Sequence, residues 1–113
     1  MDCIFCSIAE KKIPSTIVYE DDNFLAFKDI NPEAPVHILL IPKKHIQGVD
    51  KVQKEDAEFL KNIYSVIQGI AEKQGISSSG YRVVTNVGED GGQTVNHLHF
   101  HILGGRNLQW PPG

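Results

Sequence analysis

Near its C-terminal end the chain reads His97-Leu98-His99-Phe100-His101-Ile102-Leu103, three imidazoles alternating with apolar side chains. A period of two belongs to an extended strand, in which successive side chains leave opposite faces. The alternation predicts a strand over 97–103, with His97, His99 and His101 on one face and Leu98, Phe100 and Ile102 on the other. The apolar face then needs a covering layer. Imidazoles two residues apart stand roughly 6–7 Å from each other along a strand, which leaves room for a phosphate group between neighbouring rings. Three of the five histidines of the chain lie here. A merely solvated polar face is the bland reading of such a run, and metal chelation is the sharper one, because neutral imidazole is a common zinc ligand.

The loop before this strand, Asn86-Val87-Gly88-Glu89-Asp90-Gly91-Gly92-Gln93-Thr94-Val95, favours phosphate. Paired glycines let backbone N–H groups approach an anion closely, and Gln93 and Thr94 add neutral donors. A cradle of donors beside imidazoles suits an anion and does nothing for a bare cation.

The rest of the pattern predicts one α+β domain over 1–113. A short helix over 4–11 leads to a strand over 16–20. The turn Glu20-Asp21-Asp22-Asn23 leads to a second strand, 24–27, giving a hairpin. Val36 to Ile41 is an apolar strand stopped at Pro42, which lacks a ladder N–H. Ala57, Leu60, Ile63, Tyr64, Ile67, Ile70 and Ala71 recur at threes and fours, so 53–74 reads as one amphipathic helix ended by Gly75. Tyr81 to Val87 is a fourth strand and 97–103 the fifth. The expected fold is a five-stranded antiparallel sheet with one long helix on a face and a short N-terminal helix.

Composition narrows the function classes. A net charge of −3 and a pI near 5.9 argue against a nucleic-acid footprint or an anionic membrane surface. No apolar run approaches the roughly 18–20 residues of a membrane span. The start Met1-Asp2-Cys3-Ile4-Phe5-Cys6 lacks the basic and apolar regions of a secretory signal, so the cytoplasm is the expected location. A disulfide between Cys3 and Cys6 would close only a tiny loop, leaving reduced thiols or metal ligands as the readings.

The segment Gly91-Gly92-Gln93-Thr94-Val95-Asn96 with the histidine run and Gly104-Gly105-Arg106 resembles the signature of the histidine-triad superfamily. Ile4-Phe5, Ile13-Pro14, Tyr19-Glu20-Asp21-Asp22, Ala26-Phe27-Lys28-Asp29-Ile30, Ala34-Pro35-Val36-His37, Ile41-Pro42-Lys43-Lys44-His45 and Trp110-Pro111-Pro112-Gly113 resemble its nucleotide-binding, HINT-like branch. The resemblance implies a purine nucleoside phosphoramidate hydrolase that needs no catalytic cofactor. His99 would be the nucleophile, its other ring nitrogen held by a backbone carbonyl. His101, the Val95 N–H and the Thr94 hydroxyl would stabilise charge, with His37 and His97 orienting the catalytic rings. For His37, a buried core histidine stands beside that role.

The resemblance also implies that Asp29 takes the ribose hydroxyls, although a turn-capping aspartate is the plainer reading. Ile4, Phe5, Ile8, Ile13, Phe27, Ile30 and Leu39 match positions that sandwich the base, and Asn86, Gly92 and Gln93 join the nucleotide site. The ligand would be a purine mononucleotide such as AMP or GMP, or its phosphoramidate. A homodimer is expected, with Trp110 shaping the leaving-group side. Competing readings are a dinucleoside polyphosphate hydrolase, a nucleotidyl transferase, and a non-catalytic nucleotide-binding module. Cys3 and Cys6 have zinc-chelating spacing. Some histidine-triad proteins complete such a structural zinc site with two histidines, here His45 and His97.

Overall fold

The computed structural model describes residues 3–113; Met1 and Asp2, part of the N-terminal stretch read above, lie outside the described residues. Helix α1 (Ile4–Ala9) is capped by Cys3, whose Sγ accepts from the Cys6 N–H at 3.3 Å. Strands β1 (Ile17–Glu20), β2 (Phe24–Lys28) and β3 (Val36–Pro42) precede helices α2 (Ala57–Leu60) and α3 (Ile63–Lys73). Strands β4 (Tyr81–Val84) and β5 (Phe100–Gly104) complete the chain. They form one antiparallel sheet in the order β1-β2-β3-β5-β4. This is the expected α+β fold. The β1–β2 turn is built by Asp21, whose Oδ1 accepts from the N–H groups of Asn23 and Phe24, both at 2.7 Å.

The nearly continuous apolar run of β3 follows from its central position, since both of its faces are covered. Ile38 and Leu40 join Phe24, Ala26 and Ile102 under α3, which contributes Ile63, Val66, Ile67 and Ile70. Leu39 and Ile41 pack with Leu25 and Phe27 against Phe5 and Ile8 of α1. Each buried aliphatic side chain of this kind contributes about 1.5–3 kcal/mol. His37 and His101 fall on the α1 face, because their neighbours Ile38 and Ile102 belong to the other. The site therefore lies on the side that carries the short helix.

Two expectations need correction. The 53–74 helix is bent: 54–56 form a 3-10 turn, and at Asn62 ψ flattens to 0°, separating α2 from α3. Its start is fixed by Asp56, which is 1 % exposed and accepts from the Gln53 N–H at 2.9 Å and from Lys44 Nζ at 2.5 Å. Strands β4 and β5 are also shorter than expected. The Leu98 N–H leaves the ladder for the Ile46 carbonyl, so β5 starts at Phe100. The Thr85 hydroxyl donates to the His99 carbonyl at 2.8 Å, and β4 ends at Val84. His97 and His99 thus precede the hydrogen-bonded strand. Among the described residues no helix is long and apolar enough to cross a membrane.

Candidate active site

A cavity of about 530 Å³ opens on the α1 face, and His37, His99 and His101 lie in its wall. Backbone groups decide the protonation of each ring. His99 Nδ1 lies 2.7 Å from the His97 carbonyl, which can only accept, so this nitrogen carries a proton and a neutral His99 has its lone pair on Nε2. The edge-on contact with Phe5, centroids 5.1 Å apart, holds the ring against the helix. At His37 the logic reverses. The Glu33 N–H donates to Nδ1 at 3.0 Å, so a neutral His37 carries its proton on Nε2. That nitrogen lies 2.9 Å from His101 Nδ1, which must accept, leaving His101 Nε2 as an N–H donor. The cavity wall therefore holds one imidazole with a free lone pair and one with a free proton. A nucleophile and a donor are the two functions that group transfer from phosphorus requires.

Burial, the adjacent His99 and His37 rings, and an opposing contribution from Asp29 place the His101 pKa at about 4. His101 is thus a neutral donor at pH 7. Its unfolded-state pKa is about 6.5, so between these values the unfolded chain binds the proton more readily than the folded one. This contribution is complete above pH 6.5 and declines as pH falls toward 4. Thermal unfolding at equal metal content should show a drop from pH 7 to pH 5 that is smaller in His101→Gln. An identical drop in the two proteins would remove His101 as its source.

The apolar part of the cavity is formed by Ile4, Phe5, Ile8, Ile13, Phe27 and Leu39, with Ile30 at the rim, 89 % exposed. Asp29, Thr94 and Val95 also line it. Asp29 caps its own turn through Oδ1, which accepts from the Asn31 N–H at 2.8 Å, while Oδ2 lies 3.4 Å from His37 Nε2. The turn-capping reading of this residue is present in the structure, and its second oxygen faces His37.

Asn86, Gly92, Gln93 and Trp110 do not line the cavity of this chain. Gln93 is a staple of the loop: Nε2 donates to the carbonyls of Gln47 and Val95, and Oε1 accepts from the Gly88 N–H. Both amide protons are engaged, which removes Gln93 as an anion donor in this conformation. The N–H groups of Gly92 and Gln93 close the turn, whereas those of Thr94 and Val95 have no acceptor among the described residues. Gly91 is required by space, because a Cβ there would stand 2.3 Å from the Val87 oxygen. Trp110 is 81 % exposed, and Arg82 holds the preceding tail through the Leu108 and Gln109 carbonyls.

His97 turns away from the cavity and is fully buried. Its Nε2 donates to the Pro42 carbonyl at 2.8 Å, leaving the Nδ1 lone pair directed at two thiols. Cys3 Sγ and Cys6 Sγ lie 3.4 and 3.6 Å from that nitrogen, and His45 Nδ1 lies 3.3 Å from Cys6 Sγ. In a tetrahedral zinc site with Zn–S near 2.3 Å and Zn–N near 2.0 Å, sulfur and nitrogen are about 3.5 Å apart. The four donors fit zinc in number, type and spacing, and the Pro42 carbonyl supplies the outer hydrogen bond that orients such a ligand. Burial and the neighbouring Cys3 push the Cys6 thiol up to about 11; a cation among these atoms would hold it as thiolate. Asp29, His37 and His101 also lie together. Both His37 nitrogens are occupied by the hydrogen bonds above, so this group forms a proton-holding chain.

Sequence reasoning missed Thr85, which anchors the His99 carbonyl, and Glu33, which sets the His37 tautomer through its backbone. Neither act leaves a side-chain signature in a motif. Pro14, Lys28 and Asn31 also line the cavity, each beside a residue the sequence did mark, and Ser15 lines it two residues after Ile13.

The family described as scavenger mRNA decapping enzyme C-term binding matches residues 2–109. An uncharacterized HIT-like protein of Synechococcus elongatus is 50% identical over 112 residues, covering 99% of this chain and 97% of that protein. A 14 kDa zinc-binding protein of Zea mays is 49% identical over 112 residues, covering 97% and 87%. The crystal structure of a HIT family hydrolase from Legionella pneumophila superposes with a TM-score of 0.95 at 52% identity, covering 99% of this chain and all of that one. A histidine triad protein from Clostridium difficile gives 0.92 at 51%, covering 96% and 95%. With the alternating histidines, the five-stranded sheet and these relatives in agreement, the chain belongs to the histidine-triad (HIT) superfamily.

Proposed function

We propose that the protein is a hydrolase of purine nucleoside 5′-phosphoramidates that works through a nucleotidyl-His99 intermediate. The observation that carries this reading is the His99 ring, fixed at Nδ1 by the His97 carbonyl with its Nε2 lone pair free. His99 Nε2 attacks the α-phosphorus and the P–N bond breaks. The leaving nitrogen takes its proton from His101 Nε2, and the negative charge left on His101 is balanced by the positive charge on the nucleotidyl-His99 ring until water restores the proton. Water then attacks the same phosphorus, returns a proton to His101, and releases His99 with a nucleoside monophosphate. Thr94 and Val95 offer their N–H groups to the charged oxygens. Asp29 takes the ribose hydroxyls, and the apolar wall holds the base. With few polar groups aimed at base edges, that wall separates adenine from guanine weakly. Asn86, Gly92, Gln93 and Trp110 would join the site only through rearrangement or a second copy.

Further expectations accompany this reading. The edge strand β4, with Val83 41 % exposed, suits pairing with a second copy as a homodimer. Cys3, Cys6, His45 and His97 would hold a structural zinc, the property named for the Zea mays relative. Zinc would crosslink α1 to the end of β3 and to the histidine segment, and the catalytic steps use none of its chemistry. A cytoplasmic location and AMP or GMP derivatives as ligands complete the reading.

The match to the scavenger mRNA decapping enzyme family favours a second substrate class, a dinucleotide with a P–O–P linkage, open to the same nucleophile. Comparing rates on an AMP amide and on a diadenosine polyphosphate separates the two. Acid-free quenching during turnover, followed by peptide mass spectrometry, should find the nucleotidyl adduct on His99. Turnover with no adduct, or with an adduct on another residue, would exclude this mechanism.

A further inference from the structure

The loop 29–35, between β2 and β3, carries a chain of hydrogen bonds that begins at an exposed arginine and ends at the cavity. Arg106 Nη2 and Nε both donate to the Glu33 carbonyl, at 2.9 and 3.3 Å, and Nη1 donates to the Asn107 carbonyl at 3.2 Å. Across the same Cα, the Glu33 N–H donates to His37 Nδ1. His37 Nε2 then faces two acceptors, His101 Nδ1 at 2.9 Å and Asp29 Oδ2 at 3.4 Å. Gly105 adds a second hold on the loop. Its φ is +90°, and a Cβ there would stand 2.9 Å from Pro35 Cβ.

We propose that Arg106 is a positioning residue that fixes the tautomers of His37 and His101 through the backbone of Glu33. The proposal rests on the reading of His101 as proton donor to the leaving group. Each neutral ring holds one proton, so only two arrangements of the pair keep their hydrogen bond. With the Glu33 N–H on His37 Nδ1, the proton of His37 sits on Nε2 and His101 presents Nε2–H to the cavity. Without that donor, His37 is free to carry its proton on Nδ1. His101 then donates from Nδ1 to His37 Nε2 and presents a lone pair to the phosphate. The proton count is unchanged, but the second arrangement repels the atoms that the first would bind. A planar guanidinium with two N–H bonds on one carbonyl fixes its direction, which the single ammonium of lysine does less well.

The test uses nitrogen-15-labelled protein, with long-range proton–nitrogen correlations reporting each histidine tautomer. The wild type should show His37 and His101 both protonated at Nε2. In Arg106→Ala the His101 signals should move toward the Nδ1–H pattern. The turnover number on an AMP amide should fall about ten-fold, AMP should bind a few-fold more weakly, and Arg106→Lys should be intermediate in both. A wild-type His101 protonated at Nδ1 would overturn the proposal, and so would a folded Arg106→Ala with wild-type nitrogen shifts. The wild-type spectrum needs no variant to fold. If the wild type cleaves no phosphoramidate, the functional reading fails, and the nitrogen shifts still decide the tautomer claim.

Discussion

Replacing His99 with alanine should lower phosphoramidate turnover by about 10³-fold or more while AMP affinity changes only a few-fold. The expectation follows from what the ring does and does not hold. His99 Nδ1 is bound to the His97 carbonyl, and the ring packs edge-on against Phe5. No other imidazole in the cavity wall has a free lone pair, because His101 Nδ1 is occupied by His37 and its Nε2 carries the proton. A substitute imidazole nucleophile is therefore absent from the wall. His101→Ala should cost less, about 10²-fold, since solvent can replace a donor more readily than a nucleophile. Steady-state kinetics and calorimetric AMP binding on variants with native circular dichroism make the comparison. Activity of His99→Ala within ten-fold of wild type would remove His99 from the nucleophile role. Full AMP binding with no turnover in the wild type would leave a nucleotide-binding module.

The part of this site legible in the sequence is the part written in side-chain periodicity. Alternation put His99 and His101 on the face opposite Ile102, and the sheet geometry agrees even though only Phe100 to Gly104 form the paired strand. The apolar positions Phe5, Ile8, Phe27 and Leu39 were marked by resemblance and meet in one cluster. What stayed hidden is written in backbone groups. Nothing in the letter Glu33 announces that its N–H sets the protonation of a ring four residues later. Nothing in Gln93 shows whether its amide faces a ligand or closes its own loop; in this structure three hydrogen bonds close the loop.

The helix bend has a similar origin. The apolar spacing continues through 57–71, so periodicity reads one helix. The bend lies at Asn62, a residue whose side chain competes with the helical backbone. The buried Asp56 is also invisible to periodicity, because its partner Lys44 lies twelve residues earlier on another element.

Chelator-free protein should contain about one zinc per chain, and the Cys3→Ser, Cys6→Ser double variant almost none. The same variant should unfold about 10 °C lower or more, because a metal bound only by the folded state adds its binding free energy to stability. The size of the effect follows from what the four ligands join. Cys3 caps α1 and Cys6 lies within it, His45 follows β3, and His97 precedes β5. The helix has only six residues, too few to be stable without tertiary anchors. It supplies Phe5 and Ile8 to the cavity wall, so its detachment would open the apolar side of the site. His97 extends the consequence to the chemistry. Its Nδ1 faces the thiols while its carbonyl holds His99 Nδ1, so one residue ties the cluster to the nucleophile. Metal analysis and thermal unfolding of both proteins make the test, with chelator-treated wild type expected to follow the double variant. Zinc at full stoichiometry in the double variant would relocate the metal. An unchanged midpoint after zinc removal would deny it a structural role.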